Sequence, residues 1–479
     1  MRGISIKKAA LINAVSKYSV VIFSIIFNAI LARIVTPDQF GIVAVITVFT
    51  NFFGVLADMG IGTAVIQNKE LTEYDINHIF TFTIYIGFAL GLIFVGVSFL
   101  VSDFYENAIY IPLGGMLCFS LLFSAFNMVP NALMLKEKRF VSVSIRTISA
   151  CLTSSILATV LALNNWGCYA LVLQSIVNNA VIFIWNYFST RPQFTIKIDL
   201  KCINKIKSYS AFQFMFSCVN YFSRNLDNLL VSRFMGDATL GYYDKAYKLT
   251  LYPTNNLTHV ITPVLHPILS EYQSNKKYIY IKYLEVLRIL SLLGILITPI
   301  CFFCRNEIIL IVFGDRWAKA IDCFGCLALS IWAQMLASSS GSIFQSIGKT
   351  KLLFKQGLIT SGITIVCILI GVFSQNILLV SCLVAFAYNV NFFIVFYILI
   401  KYGFGYSFLS FLRSFRIDAA IFVCLLIEGI LINVLLPYYK LNIVIGLMLK
   451  VILYLILYCV LVRLFGQHRL FINLIKRKR

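Results

Sequence analysis

The sequence has few charged residues, few histidines and no long polar segment. Asp, Glu, Lys and Arg make up 12% of its 479 residues, roughly half the share found in soluble proteins, while 60% are hydrophobic. This composition excludes a soluble globular protein. It also disfavours a membrane β-barrel, whose strands alternate apolar and polar residues over short segments.

Complete motifs for nucleotide or metal chemistry are also missing. The segment from Gly341 to Thr350 ends in Gly-Lys-Thr, but a phosphate-binding loop needs a further glycine where this chain has Ile343. Two Cys-x-x-Cys pairs have the spacing of a zinc ribbon, but they lie in apolar runs, where free cysteine behaves as a small hydrophobic residue. These pairs are Cys301/Cys304 and Cys323/Cys326. Since no connection is long enough for a catalytic domain, we predict no cofactor, no bound metal and no enzymatic activity.

Apolar segments of membrane-spanning length recur along the whole chain. A helix of about 20 apolar residues crosses a bilayer. About fourteen segments fit this length, at residues 11–34, 40–67, 78–101, 109–134, 143–164, 167–188, 209–235, 239–270, 281–304, 321–346, 352–374, 376–399, 416–436 and 442–465. We therefore expect an all-α polytopic membrane protein.

Lysine and arginine concentrate in alternate connections between these segments. The basic set of connections lies at 2–8, 69, 136–139, 191–207, 276–282, 349–351, 401–416 and 469–479, whereas the connections that alternate with them hold only Arg305, Arg316, Lys319 and Lys440. Because basic loops face the cytoplasm, both termini are predicted to be cytoplasmic. The net charge of +21 is then a topology signal rather than a nucleic-acid-binding surface.

An internal repeat relates two parts of the chain, because residues 31–43 align with 231–243 at an offset of 200. The matched pairs include Asn28/Asn228, Arg33/Arg233 and Gly41/Gly241. The two copies share an orientation, as in transporters whose substrate site lies between two halves, unless the similarity of two helix exits is due to chance. The predicted domains are an N-terminal six-helix lobe (1–190), a basic cytoplasmic linker (191–208), a C-terminal six-helix lobe (209–400), and two additional helices with a basic tail (401–479).

The predicted span 209–235 carries charges near its middle. Arg224 and Asp227 are three residues apart, so they are neighbours on a helix and can pair. With Ser217, Asn220 and Asn228 they follow helical spacing and form one polar stripe. Charged residues in a membrane helix face a partner or a wet cavity. The stripe therefore either joins helices through a buried ion pair or lines a cavity that binds an anion or a coupling ion.

Further candidates follow from the same reasoning. Asp244 and Lys248 form an i, i+4 pair in the next span, and Asp58 lies inside a span of the first half. The residues predicted to bind substrate are Arg224, Asp227, Asn228, Asn220, Lys248 and Asn28. Those predicted to carry a coupling ion are Asp227, Asp244 and Asp58.

Four basic residues lie within about two turns of the predicted cytoplasmic helix ends. They are Lys17, Arg146, Arg288 and Lys355. Each long side chain can snorkel to the membrane interface, and together they would surround the cytoplasmic mouth of a cavity. His259 and His266, with Pro263 between them, are interpreted as polar cavity or packing residues.

Four segments carry a resemblance to a known family. They are ILARIVTPDQFGIVAV (30–45), LADMGIGTAVIQ (56–67), FSRNLDNLLVSRFMGDATLGYYDKAY (222–247) and PVLHPILSEYQ (263–273). These segments resemble the Wzx-type polysaccharide flippases, the lipopolysaccharide or colanic-acid exporter branch of the multidrug/oligosaccharidyl-lipid/polysaccharide superfamily. The resemblance covers about residues 1–360.

The resemblance implies a two-lobed bundle of helices that moves an undecaprenyl-pyrophosphate-linked oligosaccharide across the bacterial inner membrane. It further implies alternating access, ion coupling, and a role in O-antigen, capsule or exopolysaccharide synthesis. Besides the substrate and membrane lipid, the implied partners are a polysaccharide polymerase and a chain-length regulator. Two alternatives stay open. An ion-coupled multidrug exporter of the same superfamily is disfavoured by the net basic central spans, and a membrane glycan polymerase by the short outer connections.

Overall fold

The computed structural model describes residues 6–58, 60–68, 70–204, 211–258, 275–435 and 442–470, and these residues form helices and connections without a strand. In chain order the helices are α1 (Ile6–Ile34), α2 (Pro37–Asp58), α3 (Ile61–Gln67), α4 (Glu73–Tyr105), α5 (Tyr110–Phe126), α6 (Met128–Lys136), α7 (Phe140–Leu163), α8 (Cys168–Thr190), α9 (Leu200–Asn204), α10 (Ala211–Met235), α11 (Asp237–Pro253), α12 (Lys276–Phe303), α13 (Arg305–Val312), α14 (Ala320–Ala328), α15 (Ile331–Ala337), α16 (Ser340–Ser346), α17 (Thr350–Phe373), α18 (Ile377–Tyr397), α19 (Phe408–Arg413), α20 (Arg416–Leu435) and α21 (Ile443–Leu464). Two π-helical turns, Thr254–Thr258 and Ile398–Phe404, follow α11 and α18.

Local sequence signals determine where several helices begin. At α4 the Thr72 hydroxyl accepts a hydrogen bond from the Asp75 backbone N–H (3.2 Å), and the Asp75 carboxylate accepts one from the Thr72 N–H (3.0 Å). Pro37 is the first residue of α2, where a missing N–H leaves no helical bond unmade. Asn376 and Asn442 accept from first-turn N–H groups of α18 and α21.

Eleven helices in the described part of the chain are long and apolar enough to cross a bilayer, and α14 with the bent segment Ile331–Ser346 would make a twelfth. The predicted fold class, an all-α polytopic membrane protein, is therefore confirmed. The predicted spans 209–235 and 239–270 are not among these helices. The first coincides with α10, which carries the polar stripe, and the second begins with α11, which has 17 residues. The count of fourteen spans stays a prediction.

The chain forms two compact units, Met1–Gly241 and Tyr242–Arg479. In the first unit α4 packs on α5, α7 on α1 and α8, and α2 on α5 and α10. In the second unit α12 packs on α14, α15 and α20, while α17 packs on α18 and α20 on α21. By packing, α10 belongs to the first unit, although the repeat places it at the start of the second lobe. The division into two duplicated six-helix lobes, 1–190 and 209–400, stays a prediction.

The start of the predicted basic linker lies on the first unit. The Thr195 backbone N–H donates to the Thr81 hydroxyl of α4 at 2.9 Å, and the His78 Nδ1 atom of α4 lies 2.9 Å from the Lys197 carbonyl oxygen. These contacts dock the chain after α8 onto the first turns of α4, so His78 is a packing residue here.

A buried ion pair joins the last helix, α21, to α13 inside the second unit. Lys450 of α21 lies 2.6 Å from Glu307 of α13, and its ammonium also donates to the Asn433 side chain of α20 at 2.7 Å. Both charged side chains are largely buried. A lysine inside the apolar run 443–464 signals such a site in the sequence, but it does not identify the partner.

The internal repeat has a structural counterpart where α2 and α11 begin. A side-chain carbon at Gly41 would overlap the backbone carbonyl of Asp237, and one at Gly241 would overlap the backbone carbonyl of Pro37. The contact is reciprocal, because Pro37 and Asp237 are themselves matched by the offset of 200 residues. The two helix starts touch backbone to backbone, which only glycine permits. A symmetric contact of this kind favours a true duplication over chance similarity.

Gly41→Ala is expected to destabilise the protein by about 1–3 kcal/mol, because the added methyl group forces the two helix starts apart. The melting temperature of the purified protein in detergent measures this loss. Gly54→Ala in the same helix is the matched control, since nothing lies within 4 Å of its Cβ position and alanine is the better helix former. Equal melting temperatures for the two variants would contradict the close contact.

Candidate functional site

The predicted polar stripe lies on α10, where its residues have different environments. Asp227 and Asn228 are buried, whereas Arg224 is exposed. The Asp227 carboxylate accepts a hydrogen bond from the Asn228 backbone N–H at 2.9 Å. Among the described ion pairs none joins Arg224 to Asp227. Positions three apart on a helix point about 60° apart, so the edge of the buried face passes between them. The alternative of a buried Arg224–Asp227 ion pair is therefore wrong for this structure.

Hydrogen bonds to backbone carbonyls fix the orientation of α10. The Tyr221 hydroxyl donates to the Val48 carbonyl of α2 at 2.6 Å, and the Tyr105 hydroxyl of α4 donates to the Leu229 carbonyl at 3.0 Å. Rotation of α10 about its axis would break both bonds. The neighbouring helices therefore determine which part of the polar stripe is buried and which is exposed.

The exit of α10 is tied to the rest of the first unit. Asp237, the first residue of α11, accepts hydrogen bonds from the hydroxyls of Ser232 and of Tyr110, the latter at 3.2 Å. A carboxylate at a helix N-terminus is favoured by the helix dipole. Arg233 pairs with Glu106 at 2.8 Å. These contacts support a structural interpretation of Arg233.

Helix α11 presents a cation beside a buried carboxylate. The predicted pair of Asp244 and Lys248 is present, with 2.7 Å between the carboxylate and the ammonium, and Asp244 is buried while Lys248 is exposed. Lys245, which follows Asp244 in the sequence, is also buried. Its ammonium lies 5.6 Å from the ring centroid of Phe313 and 5.9 Å from that of Trp317. The rings supply cation–π contacts that offset the burial of this charge.

Arg146 is the centre of a polar network inside the first unit. Only 6% of its surface is exposed, and its Nη1 donates to the Oδ1 atoms of Asn131 (3.0 Å) and Asn186 (2.7 Å). Asn186 in turn donates to Asn127 at 2.7 Å, and Asn127 separates α5 from α6. The network therefore links α7 and α8 to a broken helix. The snorkelling interpretation is wrong for Arg146, since amide oxygens inside the bundle take the place of water.

The other three mouth candidates have different environments. Lys17 is half-buried on α1, and Lys355 is exposed on α17. Arg288, half-buried on α12, donates from Nη2 to the Gln467 side chain at 2.7 Å. A shared role at a cavity mouth stays a prediction.

The remaining predicted site residues are dispersed. Asp58 is exposed at the end of α2, and Asn28 donates to the Ser24 carbonyl at 2.8 Å within α1. The predictions for His259 and His266, and for the Asn220 side chain, concern atoms outside the described part of the chain.

The two Cys-x-x-Cys pairs lie on different elements. Cys301 and Cys304 are at the end of α12, while Cys323 and Cys326 lie on α14, and all four are free thiols. In the described ranges no group of three or more His, Cys, Asp or Glu side chains could hold a metal ion.

The residues that sequence reasoning missed are the polar partners. The sequence does not single out Asn127, Asn131 or Asn186, because an amide in an apolar run is a weak signal until its neighbour is known. Glu307 was not linked to Lys450 for the same reason. In each case the partners lie on different helices, so only packing identifies them.

Known proteins share both the sequence pattern and the fold of this chain. The sequence model of the family described as polysaccharide biosynthesis protein matches residues 30–322. The chain belongs to this family. It is 24% identical over 369 residues to the lipopolysaccharide biosynthesis protein WzxC of Escherichia coli K12, across 75% of this chain and 73% of WzxC. It is 24% identical over 416 residues to the teichuronic acid biosynthesis protein TuaB of Bacillus subtilis 168, across 85% and 86% of the two chains. The resemblance to polysaccharide flippases is thereby confirmed.

Solved transporter structures share the fold of this family member. The lipid II flippase MurJ in an inward closed conformation aligns with a TM-score of 0.73 at 13% identity, over 95% of this chain and 99% of MurJ. An inward-facing MATE family multidrug resistance transporter of the MOP superfamily aligns with a TM-score of 0.62 at 13% identity, over 83% and 94%. At such low identity these similarities show the fold alone.

Asn186→Leu is expected to lower the free energy of unfolding by about 2–4 kcal/mol, because it removes an acceptor from the buried Arg146 guanidinium. The melting temperature of the purified protein is the measurement. Asn178→Leu, half-buried on the same helix, is the control and should change stability by about 0.5 kcal/mol or less. The double variant Arg146→Leu/Asn186→Leu should recover much of the loss. A destabilised Asn178→Leu, or a double variant weaker than Asn186→Leu, would argue against the network.

Proposed function

We propose that this protein is a flippase that moves a lipid-linked oligosaccharide across the membrane for the synthesis of a surface polysaccharide. Its membership of the polysaccharide biosynthesis protein family, over residues 30–322, carries the proposal. WzxC and TuaB are named for lipopolysaccharide and teichuronic acid biosynthesis, and a lipid II flippase shares the fold. The chain is a multi-pass membrane protein, which is the architecture needed to carry a polar headgroup through hydrocarbon.

The substrate class has an anionic headgroup, a pyrophosphate that joins the glycan to an undecaprenyl lipid. A guanidinium binds phosphate oxygens with charge-assisted, often paired hydrogen bonds. Arg224 is exposed on α10, whose orientation is fixed by bonds to α2 and α4, and it forms no ion pair with the described residues, so its guanidinium can offer such bonds. Lys248 and Asn228 are proposed as further substrate contacts, and Asp227 as a coupling-ion residue.

The orientation and setting of the protein are part of the proposal. We place it in the bacterial inner membrane with both termini in the cytoplasm, because the basic residues concentrate in alternate connections. Transport by alternating access brings the headgroup to the outer leaflet. A polymerase and a chain-length regulator of the same pathway are the proposed protein partners, and the protein itself carries out no covalent chemistry.

Arg224→Ala is expected to reduce export of the glycan about tenfold or more, since one charge-assisted hydrogen bond contributes about 1.5–3 kcal/mol. Surface polysaccharide is measured in a deletion strain that expresses the variant at the wild-type protein level. Arg463→Ala, an exposed arginine in the last turn of α21, is the matched control and should export normally. Undiminished export by Arg224→Ala would remove Arg224 from the substrate site.

The same deletion strain separates the rival functions. A flippase defect causes the lipid-linked oligosaccharide to accumulate on the cytoplasmic side. Increased drug susceptibility without this accumulation would instead support a multidrug exporter, whose fold the MATE transporters share. Elongation of a glycan by the purified protein would support a polymerase.

A further inference from the structure

A polar cluster is buried in the second unit where α12, α20 and α21 meet. At its centre lies Asp418, in the first turn of α20, with 1% of its surface exposed. Among the described residues neither of its carboxylate oxygens accepts a well-aligned hydrogen bond, and the donor beside it is the Ser291 hydroxyl. Its neighbours are Arg288 and Ser291 of α12 and Tyr458 of α21. Asp418 is therefore a buried acidic group that forms no well-aligned hydrogen bond in the described part of the chain.

Arg288, a cation beside Asp418, is bonded elsewhere. Its Nη2 donates to the Gln467 side chain at 2.7 Å, in the segment that follows α21, while its buried Nε has no partner. The guanidinium and the Asp418 carboxylate form no ion pair among the described residues, although they are neighbours. The Ser291 hydroxyl accepts a hydrogen bond from Trp332 at 3.0 Å, and its own proton can be directed toward Asp418. The Tyr458 hydroxyl donates to the Leu292 carbonyl at 3.1 Å, so it too is bonded to another group.

An ionised carboxylate in such surroundings is unfavourable, because the residue is only 1% exposed and the guanidinium beside it is bonded to another group. A proton removes this penalty. The arrangement in which Arg288 bonds to Gln467 and not to Asp418 therefore fits a protonated Asp418. Loss of the proton would create a negative charge beside a guanidinium that can reorient toward it.

We propose that Asp418 is a proton-binding site inside the second unit, and that release of the proton transfers the hydrogen bond of Arg288 from Gln467 to Asp418. The charged and titratable groups that face this site are Arg288 from α12 and Tyr458 from α21, with His468 next to Gln467 in the following segment. The proton changes the contact between α12 and the end of α21.

Asp418 differs from the acidic residues selected from the sequence. Asp58 is exposed, Asp244 is paired with Lys248, and Asp227 accepts a backbone hydrogen bond. Each of these carboxylates is therefore stabilised in its ionised form by water, by a cation or by a donor. Asp418 is shielded from water and forms no ion pair in the described part of the chain, since its neighbour Arg288 is bonded to Gln467, and this makes it the stronger site for reversible protonation. That its proton is coupled to transport rests on the proposed function, whereas proton binding does not.

Infrared difference spectra between acidic and alkaline buffer test the site directly, on the purified full-length protein in phospholipid vesicles. The expected result is a carboxylic-acid stretching band of a group in apolar surroundings, which Asp418→Asn abolishes. Asp322→Asn, at an exposed carboxylate of the same unit, is the control and should keep the band. Glu428→Gln, at a partly buried acid further along α20, should also keep it. Retention of the band in Asp418→Asn would overturn the proposal.

A second variant distinguishes loss of the acid from misfolding of the protein. Asp418→Glu keeps an acid at the site and should shift the band rather than abolish it, and an unshifted band would assign it to another residue.

Gln467→Ala should make the Asp418 acid easier to deprotonate, because it leaves Arg288 without its present acceptor, and an unchanged titration would contradict the proposed transfer. These spectra need no glycan, so their outcome is independent of the flippase proposal. A protein with the predicted spectra but no glycan export would refute the proposed function and leave the proton site in place.

Discussion

Hydrocarbon offers neither donors nor acceptors, so a polar side chain inside a membrane helix has to find its partner within the protein. This constraint explains the buried contacts that hold each unit together. Arg146 is surrounded by asparagines from neighbouring helices, and Lys450 is paired with Glu307. In both cases the partners come from different helices, so satisfying the polar group also determines how those helices pack.

Backbone contact fixes helices where no polar pair does so. Gly41 and Gly241 bring the starts of α2 and α11 together. Each glycine lies against the residue that the 200-residue offset matches to the other glycine's contact, so the two contacts are equivalent. The exit of α10 is tied down beside this contact by Asp237 and Arg233. A charged stripe on a helix whose exit is held by such contacts suits a function in which Arg224 meets an anionic headgroup, because binding then costs little reordering of the protein.

The fold class and the family were accessible from the sequence, because both depend on patterns that are local or linear. Apolar runs of spanning length indicate membrane helices whatever their neighbours are, and the segments around Gly41 and Gly241 identify the family. The charged stripe was also found, since helical spacing places its residues on one side of α10. The arrangement of charges within the stripe could not be predicted, because whether Arg224 pairs with Asp227 depends on which neighbouring helix covers that side of α10.

The sequence by itself determined the composition of each helix, the repeat, and the positions at which charge enters apolar segments. The tertiary structure alone decided what each charge meets: amides for Arg146, aromatic rings for Lys245, and a buried position beside Arg288 for Asp418. The physical reason is that a charge inside an apolar segment signals its energetic cost locally, whereas the groups that offset this cost are brought in by helices distant in the chain.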